Sequence, residues 1–271
     1  MTILLNKIHY GDNLKFMNSI KSGEIDLIYI DPPFFTQSDQ SCKHMGRKIS
    51  FTDSWVNLNA YLDFIIMRLE KCHRLLKDTG VLCVHLDWRT VHYVKVEFDK
   101  IFGMRNFVNE IIWSYKSGGV GKRSFAKKHD TILIYSKSQE YTFNIQKEKS
   151  YNRELRKYNW GNSIVSEFKD SLGWYTIVHV RDVWEVNILR KSSKERIGYP
   201  TQKPLKLATR LIKAFTKKGD IVADFFSGSG TTLVAAKQLG RNFIGCDISR
   251  DAISISNKRL SKLLYFDKES V

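Results

Sequence analysis

Apolar residues in this chain alternate between short unbroken runs and stripes at helical spacing. Glu24-Ile25-Asp26-Leu27-Ile28-Tyr29-Ile30 is a brief run cut off at Asp31-Pro32-Pro33, which predicts a buried strand stopped by proline. Over 58–77, Leu62, Ile65, Ile66, Leu69, Leu75 and Leu76 recur with helical period, and Lys77-Asp78-Thr79-Gly80 reads as the end of that helix. Val81-Leu82-Cys83-Val84-His85-Leu86 follows as a second buried strand, and Val91 to Phe102 as another helix. Ile111–Tyr115 and Thr131–Tyr135 read as a pair of strands. From about 138 to 198 the pattern weakens into a polar, basic, aromatic-rich stretch with no long period. Order returns with a helix at 203–217, a strand at Asp220–Asp224, a helix from about 230 to 239 and a strand at Asn242–Asp247. Strands alternating with helices of this length predict βαβ units, a parallel sheet and the α/β class. The middle stretch is then an insertion between two parts of one domain.

Charge sharpens this picture. Lys and Arg number 44 against 28 Asp and Glu, a net charge of +16, for which a polyanionic partner is the simplest account. Residues 114–200 carry 17 Lys/Arg and 9 Asp/Glu, a net +8, so a third of the chain holds half of the excess. That stretch is the candidate nucleic-acid face. No apolar run approaches the roughly 20 residues of a membrane span, and the first residues do not read as a signal peptide. Cys42, Cys72, Cys83 and Cys246 are scattered, without a C-x-x-C pair. This argues against a disulfide framework or a metal site and fits a cytoplasmic location.

Two segments carry chemistry. Asp224-Phe225-Phe226-Ser227-Gly228-Ser229-Gly230-Thr231-Thr232 follows a predicted strand and opens a helix. Glycines there let the backbone turn and approach a ligand. Nineteen residues after Gly228, Asp247 ends the next strand, where an acid can bind both ribose hydroxyls of a nucleoside-containing cofactor. The plainer reading is a tight strand-to-helix turn beside a surface aspartate. Asp31-Pro32-Pro33-Phe34 suits methylation of an exocyclic amine on a base. Such an amine is a poor nucleophile while its lone pair is delocalised into the ring. A carboxylate (Asp31) and a carbonyl held by proline (Pro32) can accept its two hydrogens, and an aromatic face (Phe34) can hold the flipped base. Here the plainer reading is a strand-ending turn.

The chain has four prolines: Pro32, Pro33, Pro200 and Pro204. The last two fall in Tyr199-Pro200-Thr201-Gln202-Lys203-Pro204. In this order the segments resemble the β-group of DNA amino-methyltransferases, in which the catalytic motif comes first, a target-recognition region follows and the cofactor motif comes last. The resemblance covers nearly the whole chain outside roughly 138–195. It implies a Rossmann-like S-adenosylmethionine-dependent methyltransferase fold with an inserted target-recognition lobe. Residues 1–137 would be the catalytic part, 138–198 the target-recognition region and 199–271 the cofactor-binding part. Asp31, Pro32, Pro33 and Phe34 match the catalytic motif. The resemblance also assigns cofactor contacts. Gly11-Asp12 would lie near the adenine end, Asp31 would be a further cofactor contact and Lys203 would help hold the methionine part. Asp224, Phe226, Gly228, Ser229, Gly230, Thr231 and Thr232 would form the cofactor loop, and Asp247 would be the ribose acid. Lys128-His129-Asp130 resembles a segment in which many members carry His and an acid. Phe225 stands where proline is usual, Phe34 where many members have tyrosine, and Phe35 where many have asparagine. The polar 35–53 stretch reads either as a lid over the flipped base or as a surface loop.

Relatives acting on the cytosine amine usually begin the catalytic motif with serine, so Asp31 points to adenine in duplex DNA. Ring-carbon methylation of cytosine needs a cysteine nucleophile, typically after proline, and no Pro-Cys occurs. An RNA methyltransferase is the alternative enzyme, with Tyr151, Tyr158, Trp160, Trp174 and Tyr175 stacking single-stranded bases rather than packing within the lobe. A DNA-binding module without catalysis would carry damaged motifs, and both are intact. A homodimer and a separately acting restriction endonuclease are compatible partners; a membrane is not.

Overall fold

The computed structural model describes residues 4–44, 47–119, 122–158 and 165–266. β1 (Lys7–Tyr10), α1 (Asn13–Ser19) and β2 (Ile25–Ile30) lead into a hairpin of β3 (Ser38–His44) and β4 (Arg47–Asp53). Then come α2 (Leu58–Leu75), β5 (Leu76–Leu86), α3 (Val91–Phe102), β6 (Phe107–Ser114) and β7 (His129–Ser136). The basic middle stretch holds β8 (Lys147–Tyr151), β9 (Glu167–Lys169), β10 (Trp174–His179) and β11 (Val183–Glu185). After it follow α4 (Leu205–Phe215), β12 (Ile221–Asp224), α5 (Thr231–Gln238), β13 (Asn242–Asp247) and α6 (Arg250–Phe266).

The main sheet has the order β1-β13-β12-β2-β5-β7-β6-β11. Its strands are parallel except β7, which runs antiparallel to both β5 and β6. The expected parallel sheet is thus present with one antiparallel strand, β7, whose connection from β6 has no helix among its described residues. Alternation along the central strands divides the core. In β2, Ile28 and Ile30 face α2 and α3, whereas Leu27 and Tyr29 face α4 and α5. In β5, Leu82 and Val84 take the first side, and Val81 and Cys83 the second. Both faces are covered, which is why these strands read as continuous apolar runs.

The expected helix stop at Lys77–Gly80 is corrected. α2 ends at Leu75, and the chain passes directly into β5 with a register irregularity against β2. Gly80 lies inside that strand, where a Cβ would sit 2.9 Å from the carbonyl oxygens of Ile25 and Lys77. Its role is therefore close backbone approach rather than helix termination.

The middle stretch is only partly separate from the domain. β8, β10 and β9 form their own antiparallel sheet, while β11 returns to the edge of the main sheet beside β6. The Trp113 indole N–H fastens this return by donating to the Val186 carbonyl at 2.7 Å. The 35–53 stretch, expected as a loop, contains the β3–β4 hairpin. Among the described residues no helix is long and apolar enough to cross a membrane.

Candidate active site

β2 and β12 are neighbours in the sheet. The chain leaves β2 toward β5 on one side, and leaves β12 toward β13 on the other. Their carboxyl ends therefore open a crevice at the switch point, where open α/β sheets bind ligands. Asp31-Pro32-Pro33-Phe34 follows β2 directly, and the glycine-rich loop follows β12. The structure thus brings together two motifs separated by 193 positions, Asp31 to Asp224.

Lys203 joins them. Its Nζ donates to both Asp31 carboxylate oxygens, at 2.8 and 2.6 Å, and stands 4.7 Å from the centre of the Phe34 ring. The lysine expected near the cofactor's methionine part thus reaches the carboxylate expected to be catalytic.

On the cofactor side the loop is held from beneath. Gly228 and Gly230 adopt φ of +47° and +73°, which glycine accepts without strain. A Cβ on Gly230 would meet Ser256 Oγ at 2.6 Å. Ser256 donates to the Gly228 carbonyl at 2.9 Å, and Arg259 Nη1 donates to the Ser229 carbonyl at 2.6 Å. Thr231 Oγ1 donates to the Lys203 carbonyl at 3.3 Å. Asp247 accepts the Gly228 and Ser249 amides at 2.7 and 2.8 Å. Burial raises its carboxyl above the usual range against the pull of those amides. Asp224 is more deeply placed. Burial pushes it up to about 7, although hydrogen bonds from the Thr232 side chain and the Phe226 amide oppose the shift.

Asp12 caps α1 by accepting the Lys15 amide at 3.0 Å, and Gly11 donates to the Asp247 carbonyl at 3.0 Å. The early Gly-Asp therefore adjoins Asp247, the residue expected to bind the ribose. Phe226 faces Phe64 at 6.0 Å between ring centres. A nucleoside-containing cofactor fits this set: Gly228 and Gly230 permit the left-handed turn that closes the loop against Tyr199 and Ser256, and Asp12 and Asp247 offer acceptors. In addition, the buried Ser227 hydroxyl has no hydrogen-bond partner among the described residues. No grouping of His, Cys, Asp and Glu suited to a metal occurs among those residues.

Four supports were invisible to sequence reading. Asp53, at the end of β4, is 2% exposed and accepts from the amides of Phe34, Phe35 and Thr36 at 3.1, 2.9 and 2.9 Å. It also accepts from the Thr36 hydroxyl at 2.7 Å and the Trp55 indole at 3.0 Å. This pins the turn after the catalytic motif, including Phe35 at φ +62°. Buried Arg68 donates to Asn13 Oδ1 at 2.9 Å and lies 3.4 Å over the Phe64 ring; Asn13 in turn donates to the Phe225 carbonyl. Arg259, just described, sits on α6, a helix the sequence pattern did not predict. His85 sits behind Asp31 and hydrogen-bonds Asp130. Only Asp130 carried any sequence signal, as part of Lys128-His129-Asp130.

Among the lobe aromatics, Tyr151 and Tyr175 pair at 5.5 Å on adjacent strands and Phe168 stacks on Tyr175 at 5.7 Å, so they pack within the lobe. Trp160 lies outside the described residues.

Comparison with known proteins agrees with this geometry. A family described as DNA methylase matches residues 25–258. The chain is 31% identical over 252 residues to the type II methyltransferase M.HpaI of Haemophilus parainfluenzae, covering 91% of this chain and 71% of that protein. It is 28% identical over 272 residues to the DNA adenine methyltransferase YhdJ of Escherichia coli strain K12, with 97% and 85% covered. Among solved structures, the cytosine-N4-specific PvuII DNA methyltransferase shares the fold at a TM-score of 0.66 and 18% identity, over 93% of this chain and 85% of that one. Others with this fold are complexes with S-adenosylmethionine, at TM-scores of 0.59 and 0.61.

Proposed function

We propose the following reading of a chain that belongs to the N6/N4 family of DNA methylases: it methylates the exocyclic amine of adenine at a specific site in duplex DNA. The observation that carries this reading is the position of Asp31, at the end of β2, across one crevice from the Gly228–Gly230 loop on the adjacent strand. S-adenosylmethionine supplies the methyl group, as a sulfonium whose carbon is displaced in line.

Each residue then has a task. Asp247, Asp12 and the Phe226 ring bind the nucleoside end, and Lys203 meets the methionine carboxylate. The flipped base lies against Phe34, while the Asp31 carboxylate and Pro32 carbonyl accept its amine hydrogens and turn the lone pair toward the methyl carbon. Asp53 keeps that short turn rigid, so little rearrangement is needed on binding. Residues 138–198 serve as the target-recognition region, with lysines and arginines on the phosphates and loop residues on base edges. Asp31 in place of the serine usual for cytosine-amine relatives supports adenine, and similarity to type II methyltransferases supports a role in restriction-modification.

Transfer of labelled methyl from S-adenosylmethionine to mixed-sequence duplex DNA, followed by nucleoside analysis, tests the reading. N6-methyladenine is expected. N4-methylcytosine would keep the chemistry and reverse the base, and label found only in RNA would overturn the substrate.

A further inference from the structure

His85 is wholly buried behind the catalytic carboxylate. Its Nδ1 lies 3.9 Å from Asp31 Oδ1 and 3.1 Å from the Tyr29 hydroxyl, and its Nε2 lies 3.2 Å from Asp130 Oδ2. Asp130 takes a further hydrogen bond from the Tyr115 hydroxyl at 3.0 Å. Phe34 and Trp113 wall the imidazole, with ring centres 5.5 and 5.4 Å away. Asp130 and Tyr29 satisfy the two ring nitrogens. Beyond them the ring stands between two carboxylates, with the one assigned to the amine 3.9 Å from Nδ1.

The network assigns the protons. Burial works to raise the Asp130 carboxyl, but hydrogen bonds from His85 and Tyr115 and nearby positive charge hold it below the usual range. An ionised Asp130 places the proton of a neutral imidazole on Nε2 and leaves Nδ1 as an acceptor. Burial pushes the Tyr29 phenol well above its ordinary value, so the hydroxyl stays protonated and donates to Nδ1.

Resting on the methyltransferase reading, we propose that the His85–Asp130 pair takes up, through Asp31, the proton released when the amine is methylated. In that step the amine lone pair forms the N–C bond as the C–S bond breaks, leaving its electron pair on sulfur. An N–H bond of the new ammonium then breaks, and its electrons return to nitrogen. The proton passes to Asp31 and on to His85 Nδ1, while the Tyr29 hydroxyl turns to accept. The imidazolium stays paired with the Asp130 carboxylate and returns its proton to water on product release. His85 thus acts through Asp31 and never touches the base. The charged or titratable groups around it are Tyr29 and Asp31 from β2 and its end, Cys83 on its own strand with Asp87 beyond it, Asp130 from β7 and Tyr115 after β6. Lys203 reaches Asp31 from across the crevice, and Asp224 lies farther off at the end of β12.

The test is single-turnover methyl transfer to duplex DNA between about pH 5.5 and 9, with S-adenosylmethionine affinity measured alongside. The wild-type rate should rise along one ionisation to a plateau. His85→Gln should lose that limb and fall about 100-fold at the plateau, with cofactor affinity within about threefold. Asp130→Asn keeps the histidine and should displace the limb to lower pH, because the imidazolium loses its counter-charge. A second readout needs no turnover. The His85 ring resonances, assigned by their loss in His85→Gln, should titrate at lower pH in Asp31→Asn. A His85→Gln profile with the wild-type limb and a rate within about twofold would overturn the proposal. So would a His85 titration indifferent to Asp31→Asn. A wild type that transfers no methyl to DNA would overturn the methyltransferase reading and the proton-transfer role with it.

Discussion

Lys203 Nζ lies 2.8 and 2.6 Å from the two carboxylate oxygens of Asp31, a residue 172 positions earlier in the chain. The ammonium group occupies one acceptor site on each oxygen and draws the carboxylate toward itself, so a competing anion near Lys203 would release Asp31 more fully toward the amine hydrogens. The methionine carboxylate of the cofactor is the group suited to that. Cofactor binding would then also arm Asp31. Lys203→Met should weaken S-adenosylmethionine binding about tenfold, whereas Asp31→Ala should abolish transfer and leave cofactor affinity within a few-fold. Calorimetric titration beside methyl-transfer assays separates the two. An Asp31→Ala variant keeping more than a few percent of turnover would contradict the assigned role.

Asp53 offers a sharper structural test. It is nearly inaccessible and takes three consecutive backbone amides from Phe34, Phe35 and Thr36. Replacing it with alanine leaves those donors without their acceptor, at a cost of about 3 kcal/mol. Urea unfolding of Asp53→Ala should show that loss. Methyl transfer should fall by more than the unfolded fraction explains, because Phe34 loses its fixed position. Asp53→Asn, which keeps one carbonyl acceptor, should recover part of both.

These supports show where sequence reading ends. The strands under the catalytic and cofactor motifs were legible because each is a continuous apolar run between breakers. The two motifs were legible because their residue types suit the chemistry proposed for them. Asp53 was not, since its value lies in meeting amides 17 to 19 positions away after a hairpin turn. β1, with four residues, is too short to show a period, and β11, with three, is masked by its polar surroundings. α6 turns a narrow stripe of Ala252, Ile255, Ser256 and Leu260 inward; two of these are small and one is polar, so the apolar signal is faint. His85 looked like part of a buried strand, which it is, and only the fold reveals the two carboxylates it bridges.

The antiparallel lobe makes a prediction about DNA. Lys157, in the segment after β8, and Lys169, at the end of β9, lie 5.4 and 5.9 Å from the ring centre of Trp174 on β10. If this surface follows phosphates, each lysine removed releases one fewer counterion on binding. The double substitution Lys157→Ala/Lys169→Ala should reduce the slope of log affinity against log salt by about 2. Cofactor affinity should stay unchanged. An unaltered salt slope, measured by fluorescence anisotropy on duplex DNA, would place the DNA elsewhere.

Asp224 links the site to stability. Its folded-state carboxyl is pushed up to about 7 by burial, from an ordinary value of 3.8. Because the folded value lies above the unfolded one, the folded state holds a proton that the unfolded chain has already released between these limits. The stability this provides is complete below about pH 4 and is lost as pH rises through about 7. Asp224→Asn cannot ionise but can still accept the Phe226 amide, which the native side chain binds at 3.0 Å. Relative to wild type, the variant should gain a few kcal/mol in the difference between stability at pH 8 and at pH 5. Urea unfolding at the two pH values measures this directly, and other titrating groups cancel in the comparison. Cofactor binding should make the same side chain more costly to charge, because it seals the loop from water. The wild type's loss of stability with rising pH should therefore continue to higher pH when S-adenosylmethionine is present. Loss over the same pH range with and without cofactor would mean that Asp224 is already as buried in the free enzyme as it becomes in the complex.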